Sequence, residues 1–168
     1  MFISDNPRLS LTTGTFSIFV APPSTISQAL NNFLDKHKGT VLYVCGNVPV
    51  ILSGIATHKT QLKVKQAKNA DAVLSILEET NELFILFEHD RSLYDDDADL
   101  IRQIGRVCRR KVAERGTVTM VATRPDGWLN KFEPFAHRMT YLEESVHSIP
   151  GTSKHRTSPQ QKTLNGVI

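Results

Sequence analysis

Four runs with almost no polar interruption, at residues 15–20, 40–45, 83–87 and 117–122, constrain the fold more than any other feature of this chain. A strand with one wet face alternates apolar and polar residues, whereas a run without alternation buries both faces. Between the runs the spacing predicts three helices. The first is opened by Ser24 or Thr25 and reaches about His37, with Ile26, Leu30, Phe33 and Leu34 on one face. The second runs from Asn69 or Asp71 to Glu79, with Val73, Leu74 and Leu77 inward and Asn81 at its end. The third covers residues 98–115, with Ile101, Ile104, Cys108 and Val112 inward. Residues 138–142 read as a last strand. Strands alternating with helices in this order imply an α/β domain with a mostly parallel central sheet between two helical layers.

The remaining segments are less regular. In residues 46–68, Pro49 and Gly54 interrupt the pattern, and Val48, Val50, Ile51, Leu52 and Ile55 suit a short helix or a strand equally. Lys59, Lys63, Lys65 and Lys68 follow on what reads as a flexible stretch, and residues 124–134 read as a loop. The expected organisation is an N-terminal arm over 1–11, one domain over 12–149 and a disordered basic tail over 150–168. Net charge is +3, and Lys154, Arg156 and Lys162 supply all of it, which leaves 17 basic and 17 acidic side chains in residues 1–149. A basic pI is therefore weak evidence that the folded part binds nucleic acid. Cys45 and Cys108 have no metal-ligand spacing and read as small buried hydrophobes in a reducing compartment. No run approaches the roughly 20 apolar residues of a membrane span, and the first residues lack a signal-peptide pattern, so a cytoplasmic location is expected.

The first strand runs into Ala21-Pro22-Pro23-Ser24-Thr25-Ile26-Ser27-Gln28 and then a helix, which is the layout of a phosphate-binding loop. A working loop uses glycines so that backbone N–H groups wrap the phosphates, a lysine to neutralise them and a hydroxyl to hold Mg²⁺. Here the glycine slots fall on Ala21 and Ile26, the lysine slot on Ser27 and the hydroxyl slot on Gln28. Over residues 12–144 the order of elements resembles the RecA/RadA-type ATPase core of recombinase paralogues. The pieces that carry the resemblance are the Thr12-Thr13-Gly14 turn, the Pro-Pro loop, and the strands at 39–44, 83–88, 117–123 and 137–144. The resemblance implies a RecA-like three-layer sandwich. It places a water-activating carboxylate near Asn47, a metal-holding carboxylate on Glu88 and a polar sensing residue near Arg124. An amide is no base at neutral pH, and phosphoryl transfer rests on positioned charge around the phosphates. The chain is thus expected to lack ATPase activity, with no cofactor and no catalytic residue.

Other clusters each admit two readings. Arg102, Arg106, Arg109 and Arg110 lie at helical spacing away from the apolar face, either as a phosphate-binding stripe or as a solvated face paired to acids. The four lysines are a weaker version of the same choice. Asp95, Asp96, Asp97 and Asp99 stand at a helix start, where caps and the dipole favour acids over a metal. Trp128, between Arg124 and Lys131, either stacks a base or anchors a partner, or packs over the sheet edge. The expectation is an accessory subunit in DNA recombination or repair that binds a recombinase-family or paralogue protein, assembles with that partner or with itself, contacts DNA and has no membrane role. Two alternatives stand beside it: a SulA-like inhibitor of FtsZ, and an enzyme using Glu88, His89 and Asp90.

Overall fold

The computed structural model describes residues 13–56, 61–94, 96–142 and 162–163. Gly14, at φ +75°, makes the turn that leads into strand β1 (Phe16–Val20), and its N–H donates to Thr117 Oγ1 at 2.9 Å. Then follow α1 (Pro23–Lys36), β2 (Val41–Cys45), a 3-10 turn at Leu52–Gly54, β3 (Leu62–Gln66), α2 (Ala70–Glu79) and β4 (Phe84–Glu88). The chain continues with a 3-10 turn at Arg91–Leu93, α3 (Ala98–Ala113), β5 (Thr117–Ala122), α4 (Gly127–Asn130), a 3-10 turn at Glu133–Phe135, β6 (Arg138–Tyr141) and β7 (Lys162–Thr163). The sheet order is β3-β2-β4-β5-β1-β6-β7, parallel throughout except for the β6–β7 pair.

This is the expected three-layer α/β architecture. Every residue of β2 and β5 is buried, as runs without alternation require. Successive side chains point to opposite faces and build two separate cores. Phe16, Ile18, Leu42, Val44, Phe87, Val118 and Met120 pack with α2 and α3. Phe19, Val41, Tyr43, Leu86 and Val121 pack with Ile26, Leu30 and Leu34 of α1. The cysteines are free and buried, Cys108 in the first core and Cys45 in the second, so the sheet separates them. Burial pushes the Cys108 thiol up to about 12, which suits a packing role.

Several local expectations are corrected. Neither Ser24 nor Thr25 caps α1: Pro22 is the N-cap, without a side-chain bond, and Pro23 occupies the first helical position, where its fixed φ fits and its missing N–H costs nothing. Thr80, not Asn81, ends α2, and Lys111 Nζ donates to the Thr80 carbonyl at 2.7 Å. Lys63 and Lys65 are not on a flexible stretch but on β3, the outermost strand beside β2. Lysine on an edge strand discourages pairing with another chain. Residues 124–134 contain α4, capped by Asp126, whose Oδ1 accepts the Leu129 N–H at 2.7 Å. Of the tail, Lys162–Thr163 pair with Thr140 and Tyr141; its other residues, the arm over 1–11, Lys59 and Asp95 lie outside the described residues. No helix among the described residues is long and apolar enough to cross a membrane.

The aspartates at the start of α3 are explained by capping. Asp97 Oδ1 accepts from the N–H groups of Asp99 and Leu100 at 3.0 and 3.2 Å, and Asp99 pairs with Arg102 at 2.7 Å. Asp97→Ala is expected to lower stability by about 1 kcal/mol, read as a shift in urea midpoint at unchanged slope.

Candidate functional site

In a parallel sheet the loops beyond the carboxyl ends of the strands are where ligands bind. Here β1 and β4 flank β5, so Ala21, Glu88 and Thr123 leave the sheet on neighbouring strands. The loop after β1 offers few phosphate donors. The Ala21 N–H is bonded to the Ala122 carbonyl at 3.1 Å, and Pro22 and Pro23 have no N–H. Ile26 and Ser27 are buried, while Ser24 and Gln28 are exposed. Ser27 Oγ donates to the Ile51 carbonyl at 3.3 Å, and a Cβ on Gly54 would stand 2.5 Å from that oxygen. The space over the start of α1 is thus filled by the connection that follows β2. Asn31 fixes the same connection, donating to Gly54 O at 2.9 Å and accepting from Ala56 N at 3.0 Å.

Glu88 holds that connection from the other side. Its side chain is buried and accepts three hydrogen bonds, from Tyr43 Oη at 2.5 Å, Val50 N at 2.6 Å and Ile51 N at 3.1 Å. Burial, and then Glu88 itself, pushes the Tyr43 hydroxyl well above its ordinary range, which keeps it a donor. The position that the resemblance gives to a metal-holding carboxylate is therefore a structural acceptor. Asn47 has a similar use: its amide reaches the Lys68 carbonyl at 3.4 Å, and its carbonyl accepts from Gln66 Nε2 at 3.3 Å.

Glu88, His89 and Asp90 line one cleft but are each bonded to a different partner. Glu88 turns to the α1 side with Tyr43, and His89 to the other side with Tyr94 and Phe132. The partner of His89 is Asp126, with Nε2 at 2.8 Å from Oδ2, and Tyr94 Oη lies 3.2 Å from Nδ1. Burial pushes the Tyr94 hydroxyl up and keeps it a donor, so Nδ1 can accept from it while an Nε2 proton is directed at Asp126. Asp90 is occupied by Ser92, accepting from its N–H at 2.9 Å and its hydroxyl at 2.6 Å. Burial would raise the Asp126 carboxyl, but the Leu129 N–H, His89 and the Trp128 N–H outweigh it and hold the group below the ordinary Asp range. Among the described residues no cluster of three or more metal-capable side chains occurs.

These side chains line a cleft of about 490 Å³ with Val48, Val50, Arg91 and Arg124 on its rim. Of the residues singled out from sequence, Glu88, His89, Asp90 and Arg124 meet there. Arg102, Arg106, Arg109 and Arg110 are exposed along α3, on the face away from the buried Ile101, Ile104 and Cys108. Arg109 lies 2.9 Å from His137 Nε2, while His137 Nδ1 accepts the Phe16 N–H at 3.0 Å. Neutral imidazole has one lone pair, so one of these contacts is a hydrogen bond at a time. Lys63 pairs loosely with Glu82 at 3.9 Å, and Lys65 and the exposed Lys68 share that edge of the sheet rather than the α3 stripe. Trp128 is half-buried against the α3-side core, 6.3 Å from Tyr94, with Lys131 Nζ 5.8 Å from its ring centre. The Asp126–His89 contact and the Glu88 hub were invisible from spacing, because their partners lie 37 to 45 residues away in sequence. No protein-family model matches the chain, and no curated protein matches its sequence.

Glu88→Gln puts an amide N–H₂ among three donors, and is expected to cost about 2–3 kcal/mol and to open residues 46–56 to proteolysis. Asp126 gives a pH signature. Its lowered value means that its stabilisation is complete above the ordinary Asp range and is lost as pH falls through the folded value. Asp126→Asn keeps the cap, so its stability deficit in urea titrations is expected to shrink as the pH falls below about 4.

Proposed function

We propose that this chain is a non-catalytic RecA-like subunit that acts in DNA recombination or repair by binding a recombinase-family partner, with α3 contacting DNA. The observation that carries the non-catalytic part is the internal use of Glu88: three donors from Tyr43, Val50 and Ile51 surround the one acid that the resemblance assigns to metal. The Pro22-Pro23 turn and the buried Ile26 and Ser27 support the same reading, since they remove the N–H cradle and its charge. The RecA-like part is supported by the convergence of the loop after β1, Glu88 and the Thr123–Arg124 segment at one edge of three adjacent strands. DNA contact is supported by the arginine type of the α3 stripe, because guanidinium groups suit phosphate. Arg102 is paired to Asp99, and Arg106 and Arg110 form no ion pair among the described residues.

Titration with labelled ATP and Mg²⁺ is expected to show no saturable binding in the micromolar range. Saturable binding there would overturn the reading. Co-purification from the native host is expected to bring down a recombinase-family protein. Binding to single-stranded DNA should weaken with salt, with a log–log slope of about −3 if all four arginines meet phosphates, and Arg106→Glu with Arg110→Glu should reduce that slope by about half. A slope that the double variant leaves unchanged removes α3 from the proposal. Inhibition of FtsZ polymerisation without recombinase capture transfers the proposal to the SulA-like alternative.

A further inference from the structure

Arg91 and Arg124 are exposed, line the same cleft, and engage no acid among the described residues. The acids of that cleft are already committed: Glu88 to Tyr43, Val50 and Ile51, Asp90 to Ser92, and Asp126 to His89 and the Leu129 N–H. None of these acids forms an ion pair with Arg91 or Arg124 among the described residues, so both guanidinium groups keep their donors for a ligand. Val48 and Val50 line the same cleft and are 73% and 50% exposed. A second hollow of about 520 Å³ shares Asp90, Arg91 and Ser92 with the first and adds Trp128 and the exposed Asp96, so the two adjoin as a groove.

We infer that this groove binds an extended segment of a partner protein in which an acidic side chain stands beside an aliphatic one. The acid meets Arg91 and Arg124, where a guanidinium offers paired donors to a carboxylate. The aliphatic side chain covers Val48 and Val50, which gain nothing from a bare anion. The valines separate a peptide from a phosphate as occupant, and the engaged acids explain why the arginines are left for something outside the chain. The floor is fixed before binding, since Glu88 anchors the Val50 backbone and His89 anchors the segment at Asp126. Little ordering cost then falls on the groove itself. This inference goes beyond the recombinase reading and depends on neither the α3 stripe nor the loop after β1.

The test is binding of the full chain to an array of decapeptides that vary acid content and aliphatic neighbours independently, followed by fluorescence anisotropy on labelled peptides that are retained. Peptides with Asp or Glu next to Leu, Ile or Val are expected to be retained. Their amide counterparts (Asn or Gln) should bind at least about tenfold more weakly. The double variant R91E/R124E and, separately, V48S/V50S should each lower affinity by a similar factor, with unchanged circular dichroism and urea midpoint. R106E/R110E should leave it unchanged. The inference is overturned if no peptide binds up to about 1 mM, if the acid and amide forms bind alike, or if R91E/R124E binds as the wild type does. Displacement of the peptide by inorganic phosphate or by a single-stranded oligonucleotide at similar affinity also overturns it, by assigning the arginines to phosphate.

Discussion

The buried side chain of Glu88 is the contact on which the carboxyl edge of this sheet depends. It sits at the last residue of a central strand, and two of its three donors are backbone N–H groups of the connection that follows the neighbouring strand β2. Ser27 and Asn31 grip the same connection from α1. Residues 46–56 are therefore held between a helix and a strand end. A carboxylate that must reach a metal or a substrate needs a free lone pair directed outward; one whose neighbours are all donors from its own chain is employed in holding the fold.

Alternation along β4 then gives the edge two separate anchors. Glu88 fixes one side, and the Tyr94–His89–Asp126 chain fixes the other by joining the segment after β4 to the start of α4. The cleft lies between these anchors. Its walls are committed side chains and its rim is uncommitted, with two arginines and two valines. That division accounts for why a site with acids and a histidine at its base is read through its rim.

Much of the fold was legible because it follows from burial. Runs such as Val41–Cys45 and Thr117–Ala122 admit a doubly covered strand and little else, and Ile101, Ile104 and Cys108 mark the inner face of α3 by their spacing. The misreadings came where local pattern is neutral. β3 alternates Lys63, Val64 and Lys65 on a half-exposed edge, which reads as a solvated stretch until β2 is beside it. Residues 124–134 read as a loop, although Asp126 caps a helix of only four residues there. The site was less legible than the fold. Glu88, His89 and Asp90 are adjacent in sequence and suggested a trio, but extended backbone sends neighbours to opposite faces, and Glu88 and His89 find partners in other elements while Asp90 bonds Ser92.

The strand order also governs when the fold can exist. β1 precedes the other described strands in the chain, yet its two neighbours are β5 and β6, which end at Ala122 and Tyr141. Until those residues emerge, Phe16, Ile18 and Phe19 have no sheet to join, and both edges of β1 carry unpaired N–H and C=O groups. Native pairing must close loops of about a hundred residues, a slow and costly step. During translation the segment up to β4 is thus a fragment with an unsatisfied strand, and the sheet closes around β1 only after β5 and β6 have emerged. The same order makes the last strands more than a peripheral addition, since loss of β6 would strip one whole edge from the strand that leads into the Pro22-Pro23 turn.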